Sequence, residues 1–165
     1  MRNDVKITPT SEEHIDSYHK CFDSVARERL YLARTEAPSL ETLRALVKAN
    51  IEDDVPHFVA LVDDEVVGWC NVQLQTREGF RHRGELGTGL LRRYRRLGIG
   101  QQLVATAIQK SKTKGLERIE VEVFKSNLGA IKLYEKMGFT IEGAKKKARI
   151  IDGKYDDIVD MVLFI

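Results

Sequence analysis

The hydrophobic period of this chain changes several times, and the order of those changes is its tightest constraint. From Ile99 the apolar residues Leu103, Val104, Ala107 and Ile108 recur on one helical face, and Gly115 supplies a stop. "RIEVEVF" then alternates with the period of a strand, placing Ile119, Val121 and Val123 on one side. "NLGAIKLYEKMG" returns to helical spacing, with Asn127 placed to cap it and Gly138 to end it. The tail from Phe139 reads as two or three strands around the two-residue hairpin turn Asp152-Gly153.

Upstream, "VKITP" is a short strand, and Thr10 with Glu13 offers a capping box for a helix running to about Leu32. Ser39 caps a second helix, on which Leu40, Leu43, Val47 and Ile51 recur. "HFVALV" and "VVGWCNVQLQ" flank "DDE" as a hairpin, and "GELGTGLL" is a further run of strand length. This order predicts an α/β fold with a mixed, mostly antiparallel central sheet flanked by helices. The chain has 165 residues, three prolines and no linker-like tract, so residues 1–165 read as a single domain.

Net charge is only +2, which makes the four arginines of "RRYRRLGIG", residues 92–100, a local concentration rather than part of a basic surface. No nucleic-acid partner is expected, although Tyr94 among those arginines has the composition of a base-stacking site. No stretch approaches the ~20 apolar residues of a membrane span, and the N-terminus lacks the apolar run of a signal peptide. A cytoplasmic protein is the expectation. Cys21 and Cys70 form no metal-ligand spacing and read as small buried hydrophobes, so no metal is expected.

Gly98 and Gly100 lie between a strand and a helix start. There they let amides approach a ligand, and the helix dipole favours an anion such as a pyrophosphate. A solvated arginine run beside an ordinary glycine turn is the other reading, and spacing alone leaves both open. "GIGQQL" lacks the Gly-Lys-Ser/Thr ending of a Walker loop. It also lacks the third glycine of a dinucleotide fingerprint, since Leu103 stands in that place.

"RRLGIG", Arg95 to Gly100, resembles the Arg/Gln-x-x-Gly-x-Gly/Ala signature of the GNAT superfamily of N-acetyltransferases. "NLGAIKLYEKMGF", Asn127 to Phe139, resembles that family's second block: an asparagine, an alanine at Ala130, a tyrosine at Tyr134, and a closing Gly-Phe. One helix and one strand separate the blocks, as in the family, and the resemblance covers nearly the whole chain. Within the family it is most similar to ribosomal-protein and small-amine acetyltransferases.

The resemblance implies an acetyl-coenzyme A-dependent enzyme that acts by direct attack in a ternary complex. Its pyrophosphate would lie on amides from Leu97 through Gly98, Ile99 and Gly100 to Gln101. Arg95 and Arg96 would add charge, and Arg92 and Arg93 would reach the 3′-phosphate or face water. The pantetheine arm would pair with backbone at Leu90, Leu91 and Arg92, with an amide near Leu90 as oxyanion donor. Tyr134 would be the general acid, Asn127 a helix cap and a coenzyme contact, and Ala130 a further contact. Spacing alone gives Tyr134 the other reading of a core residue beside Ile131 and Met137.

Glu85 is the proposed general base, with Glu120, Glu122 and His82 as other candidates and water alone as a further option. The acceptor is a primary amine: a small amine, an amino acid, a polyamine or a protein N-terminus. Acidic residues at Asp152, Asp156, Asp157 and Asp160, and at Glu36, Glu41, Glu52, Asp53 and Asp54, would attract a cationic amine or form an ordinary charged surface. "AKKKAR" has the composition of a solvated edge. A non-catalytic acetyl-coenzyme A sensor on the same fold is the alternative function. "IVDMVLFI", apolar on both alternating faces, needs cover on the second face and predicts a homodimer, with cover by another helix of the same chain as the alternative.

Overall fold

The computed structural model describes residues 4–165. In chain order the elements are β1 (Lys6–Pro9), α1 (Ile15–Arg27), α2 (Leu40–Glu52), β2 (His57–Val62), β3 (Glu65–Leu74), β4 (Arg83–Leu90) and α3 (Ile99–Thr113), then β5 (Arg118–Phe124), α4 (Leu128–Lys136), β6 (Thr140–Ile151) and β7 (Lys154–Phe164). The strands form one sheet in the order β1-β2-β3-β4-β5-β7-β6. Only β4 and β5 run parallel, and they pair over just three residues, Arg83–Glu85 against Arg118–Glu120. The sheet is otherwise antiparallel, so the expected architecture stands, with two strands in the tail.

Two cores lie on opposite sheet faces. Ile15, Tyr18, Leu43 and Val47 of α1 and α2 pack with Val59 and Trp69 on one. Leu103, Val104, Ala107 and Ile108 of α3 and Tyr134 of α4 pack with Ile119, Val121 and Met161 on the other. Burying a large aliphatic side chain contributes roughly 1.5–3 kcal/mol, so the clean stripe on α3 anchors that helix and the turn before it. Both hairpins use tight turns with positive φ, at Asp63 and Asp64 (50° and 62°) and at Asp152 and Gly153 (51° and 74°).

The first helix starts and stops elsewhere than the sequence suggests. Thr10 stays extended and its amide donates to the His57 carbonyl (2.9 Å), so it cannot cap. Ser11 takes that place ahead of a 3₁₀ turn at Glu12–His14, and its amide donates to His14 Nδ1 (3.0 Å). The helix ends at Arg27, well short of Leu32, because Arg29 turns left-handed (φ 61°). Ser39 does cap α2, accepting from the Thr42 amide (3.1 Å). That helix turns Leu43, Val47 and Asn50 inward and leaves Leu40 and Ile51 exposed.

The second face of β7 is less bare than its sequence implies. Val162 is buried and Ile158 half-buried, while Phe164 is 68% exposed under the Arg118 guanidinium. Ion pairs from Lys145 to Glu122 and Asp160, and from Arg118 to Glu142, span β5, β7 and β6. The chain itself thus supplies part of the cover expected from a second subunit.

A polar cluster is sealed under α1 and α2. His57 Nδ1 lies 3.1 Å from the Asn50 amide nitrogen, the Tyr18 ring meets it edge-on at 5.4 Å, and Nε2 has no hydrogen-bond partner among the described residues. Donation from Asn50 to Nδ1 places the proton on Nε2 and keeps the ring neutral. Burial pushes its pKa from 6.5 down to about 4. Between those values the unfolded chain binds the extra proton, so stability is full above about pH 6.5 and falls as pH drops to about 4. The loss is roughly 3 kcal/mol. Urea melts from pH 7 to 4 are expected to show this slope, and His57→Gln, which keeps an acceptor for Asn50, to flatten it; an equally steep variant would remove His57 as the cause.

Candidate active site

β4 and β5 part after Glu85 and Glu120, which opens a gap in the middle of the sheet. The Leu91 amide donates to Val67 on β3 (2.8 Å). Alternation along an antiparallel ladder therefore turns the backbone groups of Leu86, Thr88 and Leu90 to the other edge, into the gap. Leu90 keeps its amide there, while its carbonyl accepts from Arg95 Nε (2.9 Å). Gly89 is required beside it, since a Cβ would stand 2.2 Å from the Trp69 ring.

The β4 edge leads to the start of α3. Gly98 occupies the N-cap position at φ 85°, where no side chain caps the helix. The first intrahelical bond runs from the Gln102 amide to the Gly98 carbonyl (3.2 Å). The amides of Ile99, Gly100 and Gln101 consequently have no intrahelical acceptor. Ile99 is buried and fixes the turn, whereas Leu97 is 66% exposed. A Cβ at Gly98 would meet nothing within 4 Å, and one at Gly100 only Leu133 at 3.6 Å. This open, uncapped helix end fits a pyrophosphate.

The arginines around it divide by role. Arg96 is exposed at φ 61°, and Arg92 and Arg93 lie in a 3₁₀ turn, exposed, with Arg93 over the Tyr94 ring. Arg95 is engaged elsewhere: it forms a two-pronged pair with Glu28 and covers the Tyr31 ring at 4.7 Å. Its charge is neutralised in that pair, so Arg95 serves the turn through structure rather than as a free cation.

Tyr134 and Cys70 are buried in the core on the α3–α4 face. Burial raises the Tyr134 phenol well above 10, with a smaller contribution from Cys70, and it pushes the Cys70 thiol up to about 12. Both groups are therefore protonated at neutral pH. The shared direction is informative, because the same dry surroundings raise a phenol and a thiol together. Asn127 Oδ1 accepts from the Ala130 amide (3.2 Å), which caps α4.

The opposite face carries a charged cavity of about 390 Å³ below the point where β4 and β5 part. Arg83 holds Glu120 through two bonds (2.7 and 2.8 Å), and that contact keeps the Glu120 carboxyl below its usual range. Glu122 is held by Lys145 (2.6 Å). Glu85 lines the same cavity and forms no ion pair among the described residues. It is the carboxylate there left free to accept a proton, whereas His82 does not line the cavity.

The acidic residues of the last hairpin are mostly occupied. Asp152 pairs with Arg29 (3.0 Å), Asp156 with Ser126, Asp157 with the Lys147 amide (2.9 Å), and Asp160 with Lys145 (3.2 Å). Asp54 is shared by Lys110 and Lys114, and Glu36 pairs with Arg27. They form an ordinary charged surface more than a trap for cations.

Residues 15–139 match the model of the acetyltransferase (GNAT) family. The chain belongs to that family. It is 34% identical over 104 residues to the L-amino acid N-acetyltransferase AaaT of Escherichia coli (strain K12), covering 62% of this chain and 64% of that protein. It thus spans a little under two thirds of that relative's length. It is 33% identical over 123 residues to an N-alpha-acetyltransferase of Sulfurisphaera tokodaii, 68% of this chain and 69% of that protein. The fold is shared with yncA of Salmonella typhimurium, solved with its cofactor acetyl-CoA, at a TM-score of 0.91. There the identity is 16%, over 98% of this chain and 94% of that one.

Within the chain, the open β4 edge is followed after a short 3₁₀ turn by the uncapped start of α3. Sequence reasoning missed the other wall. Glu28 and Tyr31 are gripped by Arg95, and the Arg29 and Leu30 carbonyls accept from Arg149 (3.2 and 3.3 Å). Glu28 and Arg95 stand 67 positions apart and Arg149 another 54 beyond, with no local pattern linking them.

Proposed function

We propose that this chain is an acetyl-coenzyme A-dependent N-acetyltransferase acting on an α-amino group by direct attack in a ternary complex. The observation that carries the reading is the unpaired β4 edge leading from the gap straight to the uncapped amides of α3. The names of the two relatives support the acceptor: one is an L-amino acid acetyltransferase and the other an N-alpha-acetyltransferase.

Bound acetyl-coenzyme A supplies the activated thioester; the chain supplies positioning and protons. Amides of Gly98, Ile99, Gly100 and Gln101 hold the pyrophosphate, with Leu97, Arg96 and Arg92 at its margin and Asn127 and Ala130 on the α4 side. The β4 edge at Thr88 and Leu90 takes the pantetheine arm as an added strand. Leu91, expected to share in this, does not, because its amide donates to Val67 and its carbonyl accepts from the Tyr94 amide. The Leu90 amide, or that of Thr88 in the same orientation, donates to the developing oxyanion. Glu85 stands five residues from Leu90, about 16 Å along the strand, so it takes the amine's proton through water and not by contact.

Tyr134 holds a proton for the leaving sulfur. An unperturbed phenol would give it to a thiolate at a cost of about 2 kcal/mol. Burial raises the phenol, and it raises a sulfur beside it as it raises Cys70, so the mismatch stays small.

Gly100→Asp is expected to abolish acetyl-coenzyme A binding measured by calorimetry while leaving the thermal transition nearly unchanged. Undiminished affinity in the folded variant would displace the pyrophosphate site. For Tyr134→Phe, turnover in a thiol-release assay should drop about 10²-fold, in kcat more than KM, with coenzyme binding kept. Full turnover would assign Tyr134 to the core alone. Absence of thiol release with every amine tried, despite coenzyme binding, would favour a non-catalytic sensor.

A cytoplasmic location goes with this reading, since Cys21 and Cys70 are buried free thiols. A homodimer would cover Ile141, Ile150 and Phe164, which stay 57%, 59% and 68% exposed. Light scattering tests it: a mass of 18.8 kDa at all micromolar concentrations would exclude the dimer.

A further inference from the structure

The gap has a second charged wall that the roles above leave unused. Arg149 follows the β6 bulge between Lys145 and Arg149, a kind of irregularity that re-aims side chains. Its guanidinium lies 4.2 Å from the centre of the Phe124 ring, at the end of β5. Two of its five N–H donors reach the Arg29 and Leu30 carbonyls, at the long distances of 3.2 and 3.3 Å.

No carboxylate among the described residues pairs with Arg149. The nearby acids are committed, Asp152 to Arg29 through two bonds of 3.0 Å and Asp156 to Ser126. Burial holds the Arg149 pKa below its usual range, Arg29 adds to that, and Asp156 and Asp152 oppose it. Arg149 is thus a partly desolvated cation with no carboxylate bonded to it among the described residues. It has donors to spare, an arrangement that can take up an anion.

Its level in the sheet places it at the reacting end of the gap. Glu85 stands opposite Glu120 in the parallel register, so four residues further on Phe124 is level with Gly89, next to Leu90. Arg149, over the Phe124 ring, is therefore level in the sheet with the backbone proposed to receive the thioester.

We propose that Arg149 binds the α-carboxylate of the acceptor, which makes the acceptor a free amino acid. This rests on the reading of the chain as an acetyltransferase for α-amino groups. A planar guanidinium with free donors matches a carboxylate through paired hydrogen bonds. A peptide N-terminus would present a neutral amide there, and a polyamine a second cation against Arg149. A free amino acid places its amine beside its carboxylate, close to the Leu90 side of the gap.

The test compares the twenty L-amino acids with their primary amides in a thiol-release assay on the full chain, with spermidine and an amidated peptide as further acceptors. Wild type is expected to use its preferred acid roughly 30-fold or more better in kcat/KM than the matching amide, the scale of a hydrogen-bonded charge. Arg149→Leu should remove that difference chiefly through KM, and Arg149→Lys should restore part of it. Equal use of acid and amide by wild type, preference for spermidine or the peptide, or an equal loss on both acceptors in Arg149→Leu would overturn the assignment. If Arg149→Leu fails to fold, the wild-type ratio decides. If no amine of any kind releases thiol while acetyl-coenzyme A still binds by calorimetry, the acetyltransferase reading fails, and the Arg149 assignment with it.

Discussion

The three-residue pairing of β4 with β5 is the constraint on which the rest of the site depends. Each strand is firmly zipped to its other neighbour, β4 to β3 over seven residue pairs and β5 to β7 over seven. They touch each other only at Arg83–Glu85 and Arg118–Glu120. Beyond that point the Leu90 carbonyl, which a continued ladder would have used, is taken by Arg95. A buried sheet normally leaves no such edge unpaired, because backbone polar groups out of water need partners. Here the unpaired edge is the natural place for an extended ligand arm.

The two faces of the gap differ in dielectric, and that difference separates their chemistry. On the α3–α4 face, Tyr134 and Cys70 lie in apolar packing that disfavours every anion, so a phenol there keeps its proton until a stronger base forms beside it. On the other face the cavity is lined by ion pairs, and Glu85 is exposed there with no ion pair among the described residues. Glu85 and Tyr134, far apart in sequence, thus stand on opposite faces of one sheet in different surroundings.

The segment from Glu28 to Tyr31 closes this arrangement. Arg95 holds it from the β4 side and Arg149 from the β6 side, so it ties the two sides of the gap together. The Arg95–Glu28 pair is partly buried, with side chains 24% and 22% exposed, where desolvation offsets much of the Coulomb attraction. Its effect is to fix geometry more than to add stability. It also accounts for α1 ending at Arg27, since the following residues are drawn toward the gap instead of continuing the helix.

The sequence by itself determined the order and type of the helices and strands, with only the number of strands in the tail left open, because apolar period, capping residues and turn residues act within a few positions of one another. Ser39, Asn127, Gly98, Asp152 and Gly153 all do what their local chemistry requires. The two motif blocks likewise pointed to the glycine turn and Tyr134 as candidates, since both belong to contiguous stretches. Where a long-range contact competed, local reading lost: Thr10 was claimed by β2 and could not cap, and Arg95, one more cation in a basic run, was claimed by Glu28. The separation of β4 from β5, the isolation of Glu85 among paired carboxylates and the position of Arg149 over Phe124 were decided by tertiary structure alone. Each depends on which distant charges and backbone groups meet once the sheet has closed, and no local pattern of residues encodes that pairing.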